Sequence, residues 1–317
     1  MRFALMHEPQ QGASYADQLA LARRAEAAGF EAIFRSDHYE SFPGPADRPT
    51  TDAWAILAGL ARETSTIRLG VLMSPVTYRL PGNLAKIVTT VDDMSGGRVE
   101  VALGAGWHEE EHRRHGFPFP PIADRATMLE EQLEVVDGLW NGPDGWSFSG
   151  RFYQVQDARL RPRPSHRIHV LVGGEGSPRS IRIAARFADE FNLSSASPER
   201  AAERFAQLDE ACRSIGRDPS TIRRSAMVGV LVGADRPEFD RRVGALRRLL
   251  GGEAAADVAE SWLAERRTRW VMGTPDEARE MVRRYAEAGL DRIMLQDLLP
   301  WDLEMVDLLG RELVARA

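Results

Sequence analysis

The chain has 317 residues, 43 % hydrophobic and 28 % charged, with a formal net charge of −6. Such values suit a globular fold with a sizeable core and argue against the basic face of a nucleic-acid binder. No apolar run nears the roughly 18 residues of a membrane span, and the single cysteine, Cys212, excludes a disulfide framework.

In chain order, strand and helix signals alternate. Arg2–Met6 reads as a first strand, followed by a helix over Ser14–Ala28 with Ser14 as its cap. Phe30–Arg35 is a second strand and Thr51–Glu63 a helix. Ile67–Met73 is strand three, Gly82–Met94 a helix, Arg98–Leu103 strand four, and Ala123–Trp140 a long helix. Ile168–Val172 and Glu190–Leu193 are strands five and six, each followed by a helix, at Pro178–Phe187 and Pro198–Ile215. Arg224–Val232 and Arg292–Gln296 are strands seven and eight, with helices at Pro275–Ala288 and Leu303–Val314. Eight apolar strands alternating with helices predict an α/β fold, a closed (β/α)8 TIM barrel forming one domain over residues 1–317. The resemblance of Arg23–Phe34 to Arg283–Met294, each a helix ending at a glycine before a strand, fits a repeated unit or convergence on the same turn chemistry.

Two segments interrupt the alternation. Residues 146–164 alternate apolar and polar side chains around Gly150 and predict a β-hairpin insertion. Residues 235–272, rich in arginine and alanine, predict a helical excursion that is a candidate lid. The amino-terminal MRFALMHEPQQ lacks a signal-peptide core, so a cytoplasmic location is expected. Lys86 is the only lysine, which leaves Schiff-base chemistry a single candidate inside a predicted helix.

Active sites of such barrels lie at the carboxyl ends of the strands, where four constellations fall. Ser36-Asp37-His38 ends strand two beside Tyr39 and Phe42. The imidazole of His38 can carry a proton near neutral pH, and Asp37 either orients it or forms a loop salt bridge or cap of its own. Gly173-Gly174-Glu175-Gly176 precedes Ser177 and Pro178 at a helix start. Bare backbone N–H groups there form either an anion cradle, with Arg179 and Arg182 in reach, or a tight turn. Gly104-Ala105-Gly106-Trp107 after strand four gives room and a flat face, which walls an aromatic ring or caps the barrel. His7 ends strand one at the same rim. His108, His112 and His115 share a helical spacing, but the arginines among them predict a solvated face, and no metal site is expected.

In this order and spacing, Ser36-Asp37-His38, Leu69-Gly70, Ser74-Pro75-Val76-Thr77-Tyr78-Arg79, Ser95-Gly96-Gly97-Arg98, Gly104-Ala105-Gly106-Trp107, Val172-Gly173-Gly174 and Gly273-Thr274-Pro275 resemble the bacterial luciferase-like monooxygenase superfamily. The likeness is narrower to its branch of coenzyme F420-dependent oxidoreductases and runs along essentially the whole chain. It implies a ring cofactor, F420 or alternatively FMN, at the carboxyl ends of the strands. It also implies a non-proline cis peptide at Leu72–Met73. Leu72, Met73 and Ser74, Gly104, Ala105 and Gly106, and Gly173, Gly174, Glu175 and Gly176 would hold the cofactor. His38 and Asp37 would be catalytic, and His7, Tyr39, Phe42, Tyr78 and Trp107 would line a largely apolar substrate pocket. A sugar-phosphate dehydrogenase of the superfamily has a glutamate where Trp107 stands and a tryptophan where Phe42 stands, which disfavours that substrate here. The implied reaction is hydride transfer with a small organic molecule. The alternative is a two-component FMN monooxygenase fed by a separate reductase. The resemblance further implies a homodimer.

Overall fold

The computed structural model describes residues 1–42, 47–250 and 262–316. Eight parallel strands close into a barrel: β1 (Arg2–His7), β2 (Ala32–Arg35), β3 (Arg68–Pro75), β4 (Val99–Gly104), β7 (His169–Gly174), β8 (Glu190–Ser194), β9 (Arg223–Val232) and β11 (Arg292–Asp297). Closure runs from β8 to β9, β9 to β11 and β11 back to β1. The helices between strands are α1 (Tyr15–Ala27), α2 (Ala53–Glu63), α3 (Pro81–Ser95), α4 (Glu109–His115), α5 (Ile122–Asn141), α6 (Pro178–Phe187), α7 (Pro198–Ser214), α8 (Arg236–Leu250) and α9 (Pro275–Glu287), with α10 (Leu303–Glu312) after β11. The expected eight strands are all present, so the (β/α)8 architecture stands.

Strand alternation divides the core in two. Ala4, Met6, Ala32, Phe34, Leu72, Ala102, Leu171 and Met294 fill the barrel interior, while Phe3, Leu5, Ile33, Leu69 and Val101 pack outward against the helices. Phe34 fits because Gly70 leaves room for it: a Cβ there would lie 2.3 Å from the ring. The amino end of the interior is charged. The Arg292 guanidinium donates to Glu100 at 2.7 Å and Glu190 at 2.6 Å, with all three side chains at most 1 % exposed. Glu100, Glu190 and His169 bring potential ligand atoms within 4.8 Å of one another, but Arg292 is the cation that neutralises them. Both glutamates are burdened by burial and still held below the usual carboxylate range by that arginine.

The hairpin insertion is observed as β5 (Trp146–Ser149) paired antiparallel with β6 (Gln154–Ala158). The excursion is only partly as expected. Its first part is α8, but Val271–Gly273 is a strand, β10, rather than helix. It pairs with Val230–Val232 because β9 outruns β11 and leaves an edge to cover. Residues 251–261 of the excursion lie outside the described residues. Arg242 of α8 anchors the helix to the barrel rim, donating to both oxygens of Asp302 at 2.6 and 3.0 Å and to the Val232 carbonyl at 2.9 Å. Among the described residues no helix is long and apolar enough to cross a membrane.

Candidate active site at the carboxyl rim

Three short loops converge on His38. It follows β2, and its ring lies edge-on to Phe42 at 4.3 Å and to Trp107 at 5.9 Å. Trp107 stacks on His108 at 4.9 Å and is 65 % exposed, so it forms a wall at the mouth and not a core cap. Nδ1 of His38 lies 3.0 Å from Oε2 of Glu111, a side chain with no exposed surface. Glu111 takes three further hydrogen bonds, from the hydroxyl of Tyr78 and from the backbone N–H groups of Tyr39 and Glu40. Burial alone would raise the Glu111 carboxyl; the bonds from His38, Tyr78 and the Glu40 backbone reverse this and hold it at about 2.

The glycines of the β4–α4 loop bring Glu111 there. Gly106 has φ +78°, and a Cβ on it would lie 3.3 Å from both Pro75 Cβ and Thr77 Oγ1. The loop therefore packs against the end of β3 and turns α4 inward. His112 follows, 1 % exposed, with Nε2 2.6 Å from Thr77 Oγ1 and Nδ1 2.7 Å from the His108 carbonyl. This corrects the expected solvated histidine face: α4 turns Glu111 and His112 into the protein, and only its other side meets solvent.

Asp37 does not orient His38. Both of its oxygens are taken by Arg79, one at 3.0 Å, and Arg79 also donates to Asp52 at 2.9 Å. The salt-bridge reading of Asp37 is the observed one. Tyr39 and Tyr78 stand behind His38, packed on each other at 5.2 Å, with the Tyr78 hydroxyl already committed to Glu111. His7 shares its strand face with Phe3 and Leu5, outside the barrel interior; it is 1 % exposed and neither ring nitrogen has a partner. Burial, then the nearby Arg35 charge, lower its pKa to about 3. It is thus a neutral buried group and not a side chain at the mouth.

Of the residues expected to hold a cofactor, Met73, Gly104 and Gly173 pack together at the barrel mouth. The β3–β4 register slips between Val71 and Ser74, and the Leu72–Met73 peptide inside that bulge is cis. Ser74 accepts from Trp54 Nε1 at 3.1 Å. Met73 reaches across the barrel mouth: a Cβ on Gly104 would lie 2.3 Å from its sulfur, and one on Gly173 1.9 Å from its methyl group. Beyond them, Gly176 (φ +77°) lies under the stem of Arg204, whose Cδ would be 2.6 Å from a Cβ there. The Nη1 of Arg204 donates to Gln207 at 2.8 Å and to Glu203 at 3.3 Å, and its Nε is buried without a partner. An orphaned cationic N–H beside bare backbone at a helix start fits an anionic group. Arg179 does not serve that cradle, because its guanidinium is bound to Glu130 at two 3.1 Å contacts and to Thr127 and the Ala123 carbonyl. The Glu175 side chain faces solvent.

Sequence reasoning missed Glu111 and Arg204. A carboxylate that holds an imidazole, an aromatic wall and a glycine-lined helix start meet at the carboxyl rim of a (β/α)8 barrel, the end where enzymes of this fold carry their active sites. The profile of luciferase-like monooxygenases matches residues 1–292, and the chain belongs to that family. An F420-dependent glucose-6-phosphate dehydrogenase of Microbacterium testaceum is 25 % identical over 311 residues, 92 % of this chain and 90 % of the relative. A pyrimidine monooxygenase RutA of Bradyrhizobium sp. is 29 % identical over 218 residues, 66 % of this chain and 59 % of the relative. Among solved structures, an F420-dependent secondary alcohol dehydrogenase has a TM-score of 0.85 at 22 % identity, covering 100 % of this chain and 99 % of that chain. The protein is a luciferase-like oxidoreductase.

Proposed function

We propose that this oxidoreductase uses coenzyme F420 and interconverts a small, largely apolar alcohol and its carbonyl compound. The observation that carries the reading is His38, held through Nδ1 by Glu111 with its ring against Phe42 and Trp107. The cofactor, when bound, accepts or donates a hydride at its ring. Cofactor contacts are assigned to Leu72, Met73 and Ser74, to Gly104, Ala105 and Gly106, and to Gly173, Gly174 and Gly176, with Arg204 at the anionic end. His38 Nε2 takes the hydroxyl proton in oxidation and returns it in reduction. Phe42 and Trp107 favour apolar substrate groups over a sugar phosphate, because neither ring can pair with a phosphate charge. The proposal includes a homodimer, to be checked by light scattering.

A second reading, an FMN-dependent monooxygenase fed by a separate reductase, is favoured by the RutA relative. Titration of the purified protein with F420 and with reduced FMN, followed by fluorescence, separates the two. F420 should bind in the micromolar range or tighter, and reduced FMN at least tenfold more weakly. Tight binding of reduced FMN without F420 binding would sink the first reading.

A further inference from the structure

We infer that Glu111 is a positioning residue that fixes the proton of His38 on Nδ1 and thereby leaves the Nε2 lone pair for the substrate. The inference deepens the proposed role of His38 and rests on it for its kinetic consequence, though not for its structural one. The argument is one of donors and acceptors. Tyr39 and Glu40 present backbone N–H groups to Oε1 of Glu111, and a backbone N–H can only donate. On Oε2 the Tyr78 hydroxyl and His38 Nδ1 meet. The three donors from Tyr39, Glu40 and Tyr78, with His38, hold the carboxylate ionised, and an ionised carboxylate can only accept, so Nδ1–H is the donor across the 3.0 Å contact. In the neutral ring the second nitrogen, Nε2, then bears the lone pair. Burial of Glu111 beside Tyr78 and the His38 ring keeps water from competing for that contact.

The arrangement also ties two loops together. Glu111 binds the backbone just after His38 while standing on α4, whose start is set by Gly106. Outside this contact, Arg114 donates to Glu40 at 2.7 Å, and His115 lies 3.3 Å from the same carboxylate. These exposed pairs add little, so the buried Glu111 carboxylate is the main polar link between α4 and the β2 loop.

Glu111→Gln is the informative variant. The amide oxygen can keep the two backbone N–H bonds, but the NH2 group then faces His38 and donates to Nδ1, which moves the ring proton to Nε2. With 15N-labelled histidine, the full-length protein should show His38 as the Nδ1–H tautomer, assigned by the signal lost in His38→Ala. In Glu111→Gln it should show Nε2–H. With F420 and 2-butanol as probes, kcat should fall by about 10²–10⁴, while the F420 dissociation constant stays within threefold. Tyr78→Phe keeps the carboxylate, so the tautomer should stay on Nδ1 and kcat should fall less than tenfold. An Nε2–H signal for His38 in the unmodified protein overturns the inference without any variant having to fold. So does an unchanged tautomer in Glu111→Gln. If His38→Ala turns over normally, the catalytic role of His38 fails, and the tautomer measurement still decides the role of Glu111.

Discussion

Asp37 and His38 are adjacent in the chain and have different partners, so their replacement should separate stability from turnover. Asp37 is buried, with Arg79 on both oxygens, and Arg79 retains only Asp52 as a second carboxylate. Removing one partner of a buried ion pair costs about 3–5 kcal/mol, because the other charge stays behind. Since Asp52 is 42 % exposed and still pairs with Arg79, Asp37→Asn should cost about 3 kcal/mol, near the low end, as measured by urea unfolding. His38→Ala removes a partly exposed ring. Glu111 keeps its bonds from Tyr78, Tyr39 and Glu40 in the variant, so the unfolding midpoint should move less than in Asp37→Asn while turnover falls by about 10²–10⁴. The opposite pattern, a stable Asp37→Asn protein with no activity, would return Asp37 to the chemistry.

At the scale of elements, the short α4 connects the sequence to the site. Its seven residues, EEEHRRH, include no apolar side chain, so no hydrophobic stripe announces which face is buried. The buried face consists of Glu111 and His112, and the partner of Glu111 stands 73 positions away. That is why the aspartate–histidine pair and the glycine runs are legible in the sequence and their supporting carboxylate is not. The three-residue β10 is hidden for a related reason: it is too short for alternation to register. The barrel strands, by contrast, are largely apolar runs, interrupted by residues such as Glu100 and Asn192, that need no partner to be recognised. Gly106 tests the placement of α4. Gly106→Ala and Gly116→Ala place alanine at φ +78° and +72°, in the loop before the helix and at its C-cap, each costing about 1–2 kcal/mol. A Cβ on Gly116 meets nothing within 4 Å, whereas one on Gly106 presses on Pro75 and Thr77. Thermal melts should therefore show a loss in both, the larger in Gly106→Ala, and only Gly106→Ala should lower kcat, by about tenfold or more. Equal kcat in the two variants would remove the loop contact from the account of the site.

At the scale of the whole molecule, the seam that closes the barrel carries two groups whose titrations oppose each other. His7 and Asp297 are register partners on β1 and β11, and both side chains are buried. Burial raises Asp297 from 3.8 to about 7, against the bond that its Oδ1 accepts from the Leu299 N–H, with the Asp302 charge adding to the rise. His7 falls from 6.5 to about 3. Between pH 3.8 and 7 the folded protein keeps the Asp297 proton that the unfolded chain releases, so this group makes stability fall as pH rises. Between pH 6.5 and 3 the unfolded chain takes up a proton that folded His7 refuses, so this group makes stability fall as pH drops. Over the shared window the two slopes cancel, and the seam as a pair is insensitive to pH. Breaking the pair should expose each slope. The unfolding free energy of Asp297→Asn relative to the parent should move in the variant's favour by on the order of 4 kcal/mol between pH 4 and pH 8, at about 1.4 kcal/mol per pH unit. His7→Leu should show the mirror image, gaining on the parent as pH falls from 7 to 3. Urea titrations at four pH values on the three proteins measure both slopes. Parallel pH profiles for Asp297→Asn and the parent would mean that Asp297 is ionised in the folded barrel, with a positive partner on the seam that holds it there.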